Sequence, residues 1–99
     1  MKLVAFVSDY KMTVSTLDRM KPEKLGIILV QNGVYHATIK DGGNTSSMLD
    51  YSADYYVLKE DLETRGLTGD DVVDGKVKVI TYGDVVDLMF NEYEKSAWI

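Results

Sequence analysis

The stretch Tyr56-Val57-Leu58-Lys59-Glu60-Asp61-Leu62-Glu63-Thr64-Arg65-Gly66-Leu67-Thr68-Gly69 decides the fold class. Tyr56, Val57 and Leu58 form a short apolar run of strand formers. Glu60, Asp61 and Glu63 then place negative charge in the first turn of a helix, where the helix dipole favours it. Arg65 falls in the last turn, Gly66 suits the left-handed position just past a helix end, and Leu67 can fold back onto the helix. The stretch reads as a strand that feeds directly into a short helix and stops at Gly66. That is half of a β-α-β unit, and it predicts a parallel sheet with helices on its faces.

Working outward, the same alternation recurs. Residues 2–8 and 25–30 are continuously apolar runs of the kind found in central parallel strands covered on both faces. Gly26 inside the second run suggests a close approach to its backbone. Between them, Thr13 or Ser15 can cap a first helix with Asp18 at capping-box spacing. Val14, Leu17 and Met20, with Met12, supply its inner face, and Pro22 ends it. After the second strand, Asn32 is a good N-cap for a second helix reaching Thr38 or Ile39. Gly33 then sits in its first turn, leaving room for something to approach the free N–H groups. Residues 40–52 are irregular and rich in Gly, Asn and Ser, and are expected to be the most mobile part of the chain.

A third strand is expected over 54–58 and, after the deciding helix and a connection over 68–75, a fourth over 76–80. There Lys76 and Lys78 alternate with Val77 and Val79, the mark of an edge strand. Thr81 and Asp84 form a capping box for a last helix from Gly83 to about Glu94, with Val85, Val86, Met89, Phe90 and Tyr93 on one stripe. The result is β-α-β-α-β-α-β-α, a small doubly wound sheet whose strand order the sequence leaves open.

Composition narrows the function. With 99 residues the chain makes one small domain, 1–99, burying roughly two-thirds of its unfolded surface. A net charge of −5 with scattered Lys and Arg argues against a general nucleic-acid surface, which needs clustered cations to neutralise phosphates. No apolar run approaches the roughly 20 residues of a membrane span, and the opening seven residues read as a buried strand rather than a secretory leader, so a cytoplasmic location is expected. The chain has no cysteine, which removes disulfides, thiolate metal sites and persulfide carriage together.

Four segments carry a family resemblance. They are Leu58-x-Glu60-Asp61-Leu62-x-x-Arg65-Gly66-Leu67-Thr68, the apolar run ending Val30-Gln31-Asn32-Gly33-Val34, Ile80-x-Tyr82-x-Asp84-Val85-Val86-Asp87-Leu88, and the tail Ala97-Trp98-Ile99. In this order and spacing they resemble the TusB/DsrH family of small sulfur-relay subunits. The resemblance implies a three-layer α/β/α sandwich with a mostly parallel sheet of four or five strands. It also implies an intracellular complex in which sulfur passes as a persulfide between cysteine-bearing subunits, for 2-thiolation of the tRNA wobble uridine or for sulfur oxidation. Some DsrH-type relatives carry a cysteine in the first helix; here that helix offers Val14, Ser15, Thr16, Leu17, Asp18, Arg19 and Met20. The expectation is therefore a non-catalytic accessory subunit without cofactor, working beside DsrE- or DsrF-like (TusD- or TusC-like) partners and touching no nucleic acid directly. The alternative is a homo-oligomeric small-ligand binding module on the same fold.

Ligands of open parallel sheets gather outside the carboxyl ends of the strands. The candidate rim or partner contact is Asp9, Gln31, Asn32, Gly33, Glu60, Asp61, Tyr82 and Trp98. Helix capping alone accounts for Asn32, Asp61 and Thr81. His36, the single histidine, reads as a surface or half-buried residue, and a hydrolase or transferase built on Asp9, His36 and Glu60 lacks a nucleophile paired with a base. One histidine without cysteine leaves only carboxylates for a metal, and Asp70-Asp71-x-x-Asp74 lacks the calcium-loop pattern. Seven tyrosines and Trp98 suit either an interface or the core.

Overall fold

The computed structural model describes residues 2–8, 24–39, 49, 53–73 and 75–98. The expected first helix, Asp9 and nearly all of the expected loop over 40–52 lie outside the described residues. Five parallel strands form one sheet: β1 (Lys2–Val7), β2 (Lys24–Leu29), β3 (Asp54–Leu58), β4 (Val77–Ile80) and β5 (Lys95–Trp98), in the order β4-β3-β2-β1-β5. β1 pairs with β2 from Lys2 opposite Lys24 to Val7 opposite Leu29, and with β5 from Leu3 opposite Lys95 to Phe6 opposite Trp98. β4 is an edge, as its alternating lysines suggest.

β5 corrects the four-strand order of elements. The last helix ends at Asn91 rather than near Glu94, and the chain then turns into the fifth strand. Tyr93 leaves the helix to lie over Gly26, where an added Cβ would run into its ring. That ring is the close approach the glycine inside β2 suggested.

Three helices are formed by the described residues. A 3-10 turn over Gln31–Val34 continues into α1 (Tyr35–Thr38); α2 is Lys59–Thr64 and α3 is Tyr82–Asn91. α2 ends as its sequence indicates. Gly66 adopts φ 71°, its N–H donates to the Glu63 carbonyl (3.0 Å), and Leu67 N–H donates to the Leu62 carbonyl (2.9 Å). This paired pattern satisfies carbonyls that the helix leaves open. At the start of α3, Asp84 N–H donates to Thr81 Oγ1 (3.4 Å) and Thr81 N–H donates to Asp84 Oδ2 (3.0 Å), closing the capping box.

Topology decides which helix covers which face. β1 to β4 advance one place at a time, so right-handed crossovers put α1 and α2 on one face. α3 returns the chain from the β4 edge to β5 at the opposite edge and lies on the other face. The core divides accordingly. Val34, Ala37 and Leu62 pack with Ala5, Val7, Ile27, Leu29, Tyr55 and Val57. Val85 and Tyr93 pack with Val4, Phe6, Ile28, Val30, Leu58 and Ile80.

Candidate functional site

The carboxyl ends of the strands bring Val30-Gln31, Lys59-Glu60-Asp61, Tyr82 and Trp98 to one end of the sheet. A cleft of about 260 Å³ opens there. Gln31, Asp61, Tyr82 and Trp98 line it, over an apolar floor of Phe6, Val30, Leu58 and Val85. Four of the expected rim residues therefore meet in one place, each from a different segment.

The polar side of the cleft is held by a short network. Gln31 takes a left-handed backbone conformation (φ 49°) as the chain leaves β2. Its N–H donates to Asp61 Oδ2 at 2.7 Å, which ties that turn to the first turn of α2. Arg65, one helical turn after Asp61, donates from Nη1 to the Asp61 carbonyl (3.1 Å) and places Nη1 3.8 Å from Asp61 Oδ1. From Nε (3.2 Å) and Nη2 (3.0 Å) it donates to Asn32 Oδ1. Asn32 and Asp61 are thus not the helix caps that their residue types suggest. The turn begins at Gln31, two residues earlier than an Asn32 cap requires, and Val30 stands at the capping position without a side-chain bond. Of the three expected caps, Thr81 alone acts as one.

Gly33 also differs from expectation. It is buried, and an added Cβ would run into the Val7 carbonyl. The partner its missing side chain admits is the chain's own β1 backbone, so no anion-binding turn is left open there. Glu60 does not line the cleft; its Oε1 is buried and makes no hydrogen bond. Asp9 lies outside the described residues.

His36 is buried at 5% exposure rather than on the surface, and it does not line the cleft. Among the described residues no cluster of three or more His, Asp or Glu is arranged to hold a metal ion. Tyr55 and Tyr93 belong to the core, whereas Trp98 stacks on Phe6 (centroids 4.9 Å apart, planes at 17°) and remains 66% exposed. Burial pushes the Tyr93 phenol well above its ordinary range, helped by neighbouring Tyr56 and Asp54. On the surface, Lys24 Nζ donates to Glu92 Oε2 at 2.7 Å; that bond raises the lysine and lowers the carboxyl.

Comparison with known proteins agrees with this architecture. The family described as DsrH like protein matches residues 8–95. The chain belongs to the DsrH family. Protein TusB of Photorhabdus laumondii is 35% identical over 91 residues, 92% of this chain and 93% of that protein. Protein TusB of Yersinia pestis is 31% identical over the same coverage. Among solved structures, protein Tm0979 of Thermotoga maritima matches with a TM-score of 0.64 at 30% identity, covering 93% of this chain and 94% of that one. MTH1491 of Methanobacterium thermoautotrophicum, a protein of unknown function, matches with a TM-score of 0.70 over 97% of both chains at 14% identity, a likeness of fold. The Arg65 network was the part of this cleft that residue types alone did not reveal. Its one signal was an arginine four residues after an aspartate, the spacing at which helical side chains meet.

Proposed function

We propose that this chain is a cysteine-free accessory subunit of a cytoplasmic sulfur relay, supporting persulfide transfer by a partner toward tRNA wobble-uridine thiolation or sulfur oxidation. The observation that carries the reading is a DsrH-family chain that contains no thiol. A persulfide needs a cysteine sulfur to hold it, so the sulfur must travel on another chain. What this chain contributes is shape: a parallel sheet whose strand-end cleft is apolar and aromatic, with its carboxylate and guanidinium already engaged with each other and with the backbone. The candidate partners are cysteine-bearing DsrE- or DsrF-like subunits.

Native mass spectrometry of the protein drawn from its own cells tests this. The expected result is a complex with a small cysteine-bearing chain that carries added sulfur mass, in steps of one sulfur atom, while this chain carries none. A homo-oligomer without such a partner overturns it. That result would favour the second reading, a self-associating module that takes a small, largely apolar ligand in the strand-end cleft. Such a ligand would raise the melting temperature with its concentration.

A further inference from the structure

The strand order reverses once in this sheet. β1 to β4 step outward on one side, and β5 pairs on the other side of β1. α1 and α2 cross one face and α3 crosses the opposite one, so among the described residues no connection closes over the strand ends at the β1–β5 pair. Open parallel sheets take their ligands in such a crevice, outside the carboxyl ends of the strands. The cleft of about 260 Å³ reaches this point. Phe6 and Trp98, opposite each other in β1 and β5, both line it.

The lining selects a ligand. The volume lies just below the range of about 300–1,000 Å³ typical of small-molecule sites, so the cleft suits one or two fused rings. Trp98 and Tyr82, 66% and 57% exposed, set two aromatic rings at its rim. Stacking on Phe6 uses one face of the Trp98 indole and fixes its plane. Aromatic walls favour a flat ring, which gains from stacking beyond the area it covers. The charged group in the lining is Asp61, whose side chain is only 16% exposed. Its Oδ2 accepts the Gln31 N–H, while its Oδ1 lies 3.8 Å from Arg65 Nη1, beyond hydrogen-bond length. Each carboxylate oxygen has two acceptor sites, so Asp61 keeps capacity for further donors. A purely apolar ligand would strip water from this carboxylate and replace none of its hydrogen bonds, which is costly. An anionic ligand would meet like charge, because among the described residues no Lys, Arg or His lines the cleft. Gln31 adds a side-chain amide that both donates and accepts.

We propose that the strand-end cleft binds a planar nitrogen heteroaromatic of one or two rings, with adjacent N–H donors on one edge and no anionic group. A 2-aminopurine-type base is one such molecule. The ring lies against Trp98 and Tyr82, and its donor edge pairs with the Asp61 carboxylate. This inference rests on the second, small-ligand reading of the cleft and names its ligand class; the relay reading needs no ligand there.

The test is a titration of the full chain followed through the indole N–H resonance of Trp98, its single tryptophan. The probes are 2-aminobenzimidazole, which has the donor edge, and 2-methylbenzoxazole, which has the same shape and no N–H. The expected result is a saturable shift with 2-aminobenzimidazole at a dissociation constant on the order of 0.1–1 mM, as suits about ten heavy atoms. Binding of 2-methylbenzoxazole should be at least tenfold weaker. Asp61→Asn should lose about tenfold in affinity for 2-aminobenzimidazole, and Tyr82→Ala should lose several-fold. Glu63→Ala, on the opposite layer, should bind as the wild type does, and urea midpoints verify that each variant folds. Guanosine should bind more tightly than its 5′-monophosphate, which separates a free base or nucleoside from a phosphate-bearing source. No saturable shift with 2-aminobenzimidazole or guanosine overturns this inference and the small-ligand reading together, and leaves the relay reading standing. Equal binding of the two bicyclic probes overturns the donor edge and leaves the cleft to an apolar ligand. Binding that neither Asp61→Asn nor Tyr82→Ala changes places the probe elsewhere and overturns the site. Tighter binding of the monophosphate overturns the exclusion of anions.

Discussion

At the scale of single residues, Gly33 shows how a turn that resembles a ligand site can be fully engaged by the fold. An added Cβ there meets the Val7 carbonyl, and that carbonyl also accepts the Val30 N–H at 3.0 Å. Both contacts are backbone, so neither can swing aside. Gly33→Ala should destabilise the protein by about 3 kcal/mol, the upper part of the usual overpacking range. Urea unfolding would show it as a lower midpoint with an unchanged slope. Gly75→Ala, where an added Cβ meets nothing within 4 Å, should leave the midpoint nearly unchanged. The difference between these glycines is not visible in their neighbours in sequence. Asn32-Gly33 looks like a helix start because the competing partners, Val7 and Arg65, are 26 and 33 residues away. Thr81 and Asp84, whose partners are each other, were legible for the opposite reason.

At the scale of elements, the end of α3 is fixed by a packing event rather than by a stop signal. Nothing like Gly66 follows Asn91. The chain leaves the helix so that Tyr93 can cover Gly26, with its hydroxyl 3.5 Å from Asp54 Oδ2 and Lys24 Nζ 5.1 Å from its ring centre. An amphipathic stripe running through Tyr93 could not reveal this, because the same apolar spacing serves a longer helix equally well. Burying the phenol makes the fold sensitive to alkali. Its pKa is raised in the folded chain above the value of about 10 that it has when unfolded. The stability it contributes is therefore complete below pH 10 and is lost as pH rises beyond it. The urea midpoint should fall above about pH 10, and fall less steeply in Tyr93→Phe. Lys24, raised by its bond to Glu92, loses its contribution at the same alkaline end. It is present in both proteins, so the difference between the two curves isolates the phenol.

At the scale of the whole molecule, stability and exposure are distributed unevenly across the sheet, and β5 lies at the weaker end. β1, β2 and β3 have strands on both sides and buried apolar residues along almost their whole length. Among the described strands β5 pairs with β1 alone, and Lys95, Ser96 and Trp98 are exposed. That is also why the fifth strand was hard to read: Lys95-Ser96-Ala97-Trp98 lacks the apolar run that marks a central strand, and its single large side chain spends its contact on Phe6. The central strands were legible because burial on both faces forces continuous apolar sequence. Amide hydrogen exchange should follow the same division, with β5 exchanging faster than β2 because its opening exposes little apolar surface.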